Sequence, residues 1–338
     1  MEIIAALNEL GLYLTHKDED LVSQINNAAN YNPWFSKENM TLAIDSWAKL
    51  LNTDKLNGWM QREKFTALNE RKKIGLVLAG NIPMVGFHDI ISVLITGHEA
   101  HIKLSSQDQK LIPFLLNKLI EIAPALKNQI YYPEKLNEVD AVIATGSDNS
   151  ARYFEYYFGQ KPNIIRKNRN SIAILEGNES PEEIVALGND IFNYFGLGCR
   201  NVSKIYIPKN YDLTYLLDHL ESYHRIADFH KYHNNYDFQK SLLLVNGVKH
   251  LDNGFLLLKE SDSLLAAISV LHYEYYEDLD SLQSKIELEK DKIQCIASHL
   301  KINTTCQLVG FGETQQPGWT DYADGVNTIS FLKNSQII

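Results

Sequence analysis

Over the first seventy residues hydrophobic positions recur at three- and four-residue spacing, at Ile3, Leu7 and Leu10 and again between 42 and 51. One apolar stripe per 3.6 residues predicts a helical N-terminal region. From Ile74 the texture changes to short apolar runs separated by amphipathic stretches. IGLVLA predicts a strand, residues 85–95 a helix and AHIKL a second strand. A helix over 107–123 follows, then strands at QIYYP and DAVIATG and a helix over 149–157. Alternation of this kind predicts a doubly wound, mostly parallel sheet covered by helices on both faces.

A second set begins with SIAIL. It continues with a helix over 181–194, opened by a proline at a favoured first-turn position, then the loop GLGCRN and the strand SKIYIP. Further strands are expected at SLLLV, GFLLL, AISVLHY and QCIAS, and the tail over 324–332 reads as extended. No internal repeat and no Gly/Ser linker occurs, so the renewed pattern alone sets a domain boundary near 160–170. A chain of 338 residues suits two packed domains.

Composition narrows the function. Hydrophobic residues at 45% and charged residues at 22% are ordinary globular usage, which excludes a disordered or collagen-like chain. A formal charge of -10 argues against nucleic acid, because phosphate neutralisation needs clustered Lys and Arg. The densest basic stretch is the four residues Arg166 to Arg169. Three cysteines, Cys199, Cys295 and Cys306, are an odd number without paired spacing and read as free thiols in a reducing compartment. The N-terminus lacks a basic n-region and an apolar h-region, and no run of about 18 apolar residues occurs. A soluble, cytoplasmic protein without a membrane span is expected.

Cys199 is the candidate nucleophile. Gly196 and Gly198 before it leave clearance for an approaching substrate, and a nearby cation such as Arg200 or aligned N–H groups would favour the reactive thiolate. The alternative is a small packing residue in a turn. Cys295, in an apolar run, and Cys306, after two threonines, read as ordinary thiols. GLGCRN follows a helix and precedes a strand, the reverse of the turn that presents N–H groups to a pyrophosphate, so it is not a dinucleotide fingerprint. AGNIPMVG does run from strand to helix and places Asn81 where its amide could donate to an oxyanion; turn formation or helix capping is the alternative. His230 and His233 lack a third partner for a metal. The aromatic runs ARYFEYYF and LHYEYYEDL read either as core or as the lining of an acyl channel.

In combination, LAGNIPMVGFHDIISVLITGHEAHIKLSS, AVIATGS, SIAIL and FGLGCRNVSKIYIP resemble the aldehyde dehydrogenase superfamily in order and spacing, over about residues 74–208. More narrowly, AVIATGSDNSARYFEYYFGQKPNIIRKNRNSIAIL and FGLGCRNVSK resemble the acyl-CoA reductase family that includes the fatty acyl reductase subunit of bacterial luminescence. The resemblance implies an α/β aldehyde dehydrogenase-like fold. Residues 1–168 would hold the helical region and cofactor domain, 169–315 the catalytic domain, with the active site in the cleft between them. Residues 316–338 would form a C-terminal tail. It implies Cys199 as catalytic thiol, Asn81 as oxyanion donor, Lys103 as a cofactor-binding lysine, and Gly146 and Ser147 as the turn near the cofactor phosphates.

Three departures refine what the resemblance implies. Where hydrolysing relatives carry a water-activating glutamate, this chain has Ile165, Arg166, Lys167 and Asn168, so a thioester on Cys199 would persist for reduction. Ser106 stands where many NAD-preferring members have a glutamate, which favours NADPH over NADH. A second superfamily glutamate, for the nicotinamide ribose, has no equivalent near 264–269. The expected activity is NADPH-dependent reduction of an acyl-CoA thioester to an aldehyde, with coenzyme A as part of the substrate. An acyl phosphate reductase and a non-catalytic acyl carrier or assembly partner are the alternatives. By resemblance alone, an acyl-transferring protein partner and a homo-oligomer are expected, with 326–332 a candidate oligomerisation strand.

Overall fold

The computed structural model describes residues 2–65 and 70–334. One compact unit takes in the described residues up to Asn168 and those from Gly318 onward; a second spans Arg169–Pro317.

The first unit opens with four helices: α1 (Glu2–His16), α2 (Glu19–Asn27), α3 (Lys37–Leu50) and α4 (Thr53–Arg62). Asp18, Ser36 and Asn52 cap the last three, each accepting a backbone N–H of the first turn that has no partner inside the helix. α1 buries Leu7 and Leu10 of the predicted stripe and continues it with Leu14, while Ile3 is half-buried. Gly11 lets α1 approach α3 closely, since a Cβ there would lie 2.3 Å from the Leu51 carbonyl oxygen.

A five-stranded sheet follows: β1 (Lys73–Val77), α5 (Phe87–Ile95), β2 (Glu99–Lys103), α6 (Leu111–Ile122), β3 (Ile130–Tyr131), β4 (Ala141–Thr145), α7 (Asp148–Phe158) and β5 (Asn163–Arg166). All its ladders are parallel and the spatial order is β3-β2-β1-β4-β5. The chain therefore runs outward from β1 in one direction and then resumes on its other side at β4. That reversal makes β1 and β4 the topological switch point, and doubly wound sheets take their ligands outside the carboxyl ends of the strands at such a point. β5 lies where the sequence suggests only a domain boundary; its four residues are too few to show a period.

The C-terminal segment packs within this unit. Trp319 stacks on Trp59 at 4.5 Å, its indole N–H donates to the Leu50 carbonyl at 3.0 Å, and Tyr322 accepts from the Trp59 indole at 2.9 Å. The extended reading of 324–332 is corrected: residues 323–325 form a 3-10 turn and Thr328–Leu332 a helix capped by Asn327. No strand is formed by the described residues of this tail, because its apolar side chains Ile329 and Leu332 are buried at helical spacing.

The second unit holds β6 (Asn170–Ile174), α8 (Pro181–Phe192), β7 (Val202–Pro208), α9 (Leu213–Leu220), α10 (His230–Val245), β8 (Leu251–Asp252), β9 (Leu257–Glu260), β10 (Val270–Tyr276), α11 (Leu279–Glu289), β11 (Ile293–Ala297) and β12 (Gln307–Val309). The sheet order is β12-β11-β6-β7-β10-β9-β8, parallel except for the antiparallel edge strand β8. Ala173, Ile205 and Ile207 face the core with α8 and α9, while Ile172, Ile174 and Tyr206 face α11. SLLLV is corrected from strand to the last turns of α10. A short apolar run does not distinguish the two by itself, and here Tyr232, Tyr236 and Leu243 are the buried side of a helix.

Candidate functional site

In the first unit, the register pairs Val77 with Lys103 on one side and with Ala144 on the other. The ends of β2, β1 and β4 thus form one edge, which carries Lys103, the loop containing Asn81, and Gly146 with Ser147. Lys103 is the last residue of β2; its side chain is exposed and its ammonium donates to the Glu134 carbonyl at 2.9 Å. Ser106 is exposed in the turn beyond. Gly146 follows β4 directly, and a Cβ there would meet Ser150 Cβ at 2.8 Å and Phe154 Cε2 at 2.9 Å. Only glycine lets the chain turn this tightly into α7, which Ser147 caps by accepting the Ser150 N–H.

The Asn81 loop is held from several sides. The Asn32 amide donates to the Gly80 carbonyl at 3.3 Å and the Gln107 carbonyl at 3.2 Å, clipping this loop to the one after β2. Asp108, buried, accepts backbone N–H groups from Met84 in this loop and from Leu111 and its neighbours at the start of α6. Burial pushes its carboxyl up to about 6 against the downward pull of those N–H groups. Asn81 itself is half-buried. It is not the cap of α5, because that position belongs to Gly86, in the left-handed region at φ 81° with no side-chain cap bond.

In the second unit, Cys199 lies between α8 and β7 and is exposed, whereas Cys295 is buried and Cys306 half-buried. Burial pushes the Cys306 thiol up. Cys199 occupies the first corner of a tight turn closed by the Asn201 N–H donating to the Gly198 carbonyl at 3.0 Å. The approach to that turn passes through three successive left-handed residues, Tyr194 (φ 53°), Phe195 (φ 58°) and Gly196 (φ 75°). For the two that are not glycine this conformation costs about 1–2 kcal/mol each.

Asn201 is the hub of the loop. Its Oδ1 accepts the Gly198 N–H at 2.8 Å, and its Nδ2 donates to the carbonyls of Asn193 (2.8 Å), Asp190 (3.0 Å) and Ile191 (3.4 Å). The carbonyls at the end of α8, which lack partners inside the helix, are thereby satisfied. Ser171, on β6, donates from its hydroxyl to the Cys199 carbonyl at 3.1 Å. Arg200 is turned away from a role beside the thiol: its Nε donates to the Thr314 carbonyl and its Nη2 to Gln307 Oε1 at 2.8 Å. Sequence reasoning passed over Asn201 and Ser171. The asparagine adjoins the cysteine motif, but the acceptors of its Nδ2 lie 8 to 11 residues upstream and nothing local announces them.

In the stretch 165–168, Arg166 is committed to a buried pairing, while Lys167 and Asn168 make exposed contacts. Arg166 is buried and pairs through both Nη atoms with Asp89, with a further bond to the Thr328 hydroxyl at 3.1 Å. Lys167 pairs with Glu155 at 2.9 Å, and the Asn168 N–H donates to Asp148 at 3.3 Å. Of the aromatic runs, ARYFEYYF falls on α7 and exposes Tyr153, Tyr156 and Tyr157, so these three are not core; LHYEYYEDL supplies β10. His230 and His233 sit in the first turn of α10, and the described residues contain no group of three or more metal-ligating side chains. No helix among them is long and apolar enough to cross a membrane.

The profile of the acyl-CoA reductase (LuxC) family matches residues 12–215, more than half of the chain and including the Asn81 loop, the Lys103 edge and the Cys199 turn. The chain belongs to the acyl-CoA reductase (LuxC) family. A curated relative of the LuxC-family chain, the long-chain acyl-protein thioester reductase of Aliivibrio fischeri, is 26% identical over 171 residues. That match covers 45% of this chain and about a third (35%) of the relative's length. Solved structures similar to it are aldehyde dehydrogenases. Aldehyde dehydrogenase 21 of Physcomitrella patens, in complex with the product succinate, has a TM-score of 0.60 at 13% identity, covering 85% of this chain and 70% of its own. The NAD+ complex of the Bacillus cereus enzyme has 0.61 at 12%, covering 90% and 72%. The Mycobacterium tuberculosis enzyme with NAD+ has 0.61 at 12%, covering 85% and 70%. The fold is that of the aldehyde dehydrogenases, and the family is one of acyl-reducing oxidoreductases.

Proposed function

We propose that this LuxC-family chain reduces an acyl-CoA thioester to the aldehyde through an acyl group carried on Cys199, with NADPH as reductant. The observation that carries the reading is the exposed Cys199 on a pinned turn, in a chain with no carboxylate at 165–168 to activate water.

The residues at the carboxyl edge of β1, β2 and β4 suit a dinucleotide. Gly146 lets the chain turn tightly into α7, whose N-terminal N–H groups follow it, and the exposed Lys103 offers a cation for a phosphate. Ser106 presents no carboxylate to repel a 2′-phosphate. The reduced nicotinamide, when bound, supplies the hydride that turns the acyl-cysteine into a thiohemiacetal.

The thiol of Cys199 loses its proton and attacks the thioester carbonyl. The bond to the CoA sulfur breaks, and that sulfur takes up the proton as CoA leaves. The Cys199 backbone N–H serves as a donor to the oxyanion at both tetrahedral stages, and the donor role of Asn81 is carried over from the family resemblance alone. Collapse of the thiohemiacetal oxyanion breaks its bond to Cys199, releases the aldehyde and returns the thiolate, which regains a proton from solvent. With no carboxylate at 165–168 to activate water, the acyl-cysteine persists for reduction.

The test is NADPH consumption with acyl-CoAs of increasing chain length, alongside mass spectrometry of the protein. Wild type is expected to release CoA, oxidise NADPH and carry an acyl mass on Cys199, and Cys199→Ser to lose all three. An intact, folded wild type that gains no acyl mass and oxidises no NADPH overturns the reading.

A further inference from the structure

The Cys199 turn is more heavily restrained than a connection between a helix and a strand requires. Every polar atom of the Asn201 side chain is used within the loop: Oδ1 holds the amide of Gly198, the residue before the thiol, and Nδ2 spans carbonyls from Asp190 to Asn193. From the neighbouring strand, Ser171 holds the Cys199 carbonyl with its hydroxyl, and its own N–H donates to the Asn201 carbonyl at 3.3 Å. Ser171 is fully buried and Asn201 is 2% exposed, while the thiol they surround is exposed. Left-handed Tyr194 and Phe195 lie in the same loop. Such conformations persist only where the surroundings over-determine them, and they gather where a reacting group must be pre-set.

We propose that Asn201 and Ser171 are positioning residues that fix the Cys199 main chain so that its sulfur meets the acyl carbonyl in one orientation. The inference rests on the acyl-cysteine reading above. Neither side chain reacts. Asn201 fixes Gly198, the residue before the thiol, to the end of α8, and Ser171 on β6 fixes the Cys199 carbonyl, so rotation of the Cys199 peptide would break bonds to a strand and within a loop anchored to a helix end. A nucleophile displaced by about 1 Å can lose on the order of 100-fold in rate without any loss of binding.

The experiment is single-turnover acylation of Cys199 by an acyl-CoA, followed by mass spectrometry in wild type, Asn201→Ala, Ser171→Ala and Ser171→Thr. Amide hydrogen exchange at Gly198 is measured on the same proteins. The acylation rate constant at saturating thioester is expected to fall about 10- to 100-fold in both alanine variants, with the half-saturating concentration changed by less than about 2-fold. Ser171→Thr keeps the hydroxyl and is expected to restore the rate to within about 3-fold of wild type. Gly198 exchange is expected to be slow in wild type and faster in Asn201→Ala. Alanine variants that acylate at the wild-type rate overturn the proposal, as does a loss in Ser171→Ala that threonine does not restore. If Asn201→Ala does not fold, the Ser171 pair decides. If wild type is never acylated, the proposed function fails, and exchange alone then judges the frame: an unprotected Gly198 in wild type overturns it, and protection lost only in Asn201→Ala supports it.

Discussion

Asp108 shows how one side chain in the first unit is set against its own preference. Its carboxyl is buried beneath two loops, and burial raises it to about 6 although several backbone N–H groups favour the ionised form. In the unfolded chain the same group titrates near its ordinary value of about 3.9. Between about pH 4 and 6 the folded chain therefore holds the extra proton. The stability this provides is complete below about pH 4 and is lost as pH rises through about 6. Asp108→Asn, neutral throughout, should gain on wild type across that window by on the order of 2 kcal/mol, read from urea melts at the two ends. A constant difference between the two proteins would contradict the assignment. None of this is legible in LSSQDQK, where Asp108 looks like one more polar loop residue. By contrast, the clearance around the exposed Cys199 was legible, because the glycines that give it are its sequence neighbours.

At the scale of elements, α8 matters most to the thiol because its last turn supplies the carbonyls that Asn201 gathers. Its start is fixed by a capping box: Ser180 accepts the Glu183 N–H, and the Glu183 carboxylate accepts the Ser180 N–H at 2.7 Å. Ser180→Ala should lower stability by about 1 kcal/mol in thermal or urea melts, and a change near zero would show the helix to be held by packing alone. Sequence periodicity found this helix, with Pro181 marking its first turn. The same reasoning placed a strand at SLLLV because four consecutive apolar residues fit either period. Leu242, Leu244 and Val245 are in fact exposed there, while Leu243 turns inward with Tyr232 and Tyr236. The tail failed as an extended segment for a related reason. Asn327 caps a helix of only five residues, too short for a periodic signal.

For the molecule as a whole, the closure of the first unit depends on a buried pairing among distant segments. Arg166 ends β5, Asp89 lies in α5 and Thr328 opens the C-terminal helix, and their side chains meet away from water. Burial alone would raise the Asp89 carboxyl, but the Arg166 guanidinium outweighs it and holds the group below its ordinary value. Arg166→Met would leave that carboxylate buried without its partner, at a cost of about 3–5 kcal/mol in urea unfolding. A loss under about 1 kcal/mol would mean that water reaches the site.

Local order in the amino acids determined the alternation of strands and helices, the parallel character of the sheets, the glycine-flanked thiol and the set of residues that resemble an acyl-CoA reductase. These depend on spacing within a few residues, which one chain displays directly. Tertiary structure alone decided the order of strands that aligns Lys103, Gly146 and the Asn81 loop on one edge, the tail folded back onto α3 and α4, and the frame of Asn201 and Ser171 around Cys199. The partners in these contacts are separated by up to 269 residues. A hydrogen bond between such groups leaves no period in the sequence, because it is formed only after burial has brought them together and removed the water each would otherwise bind.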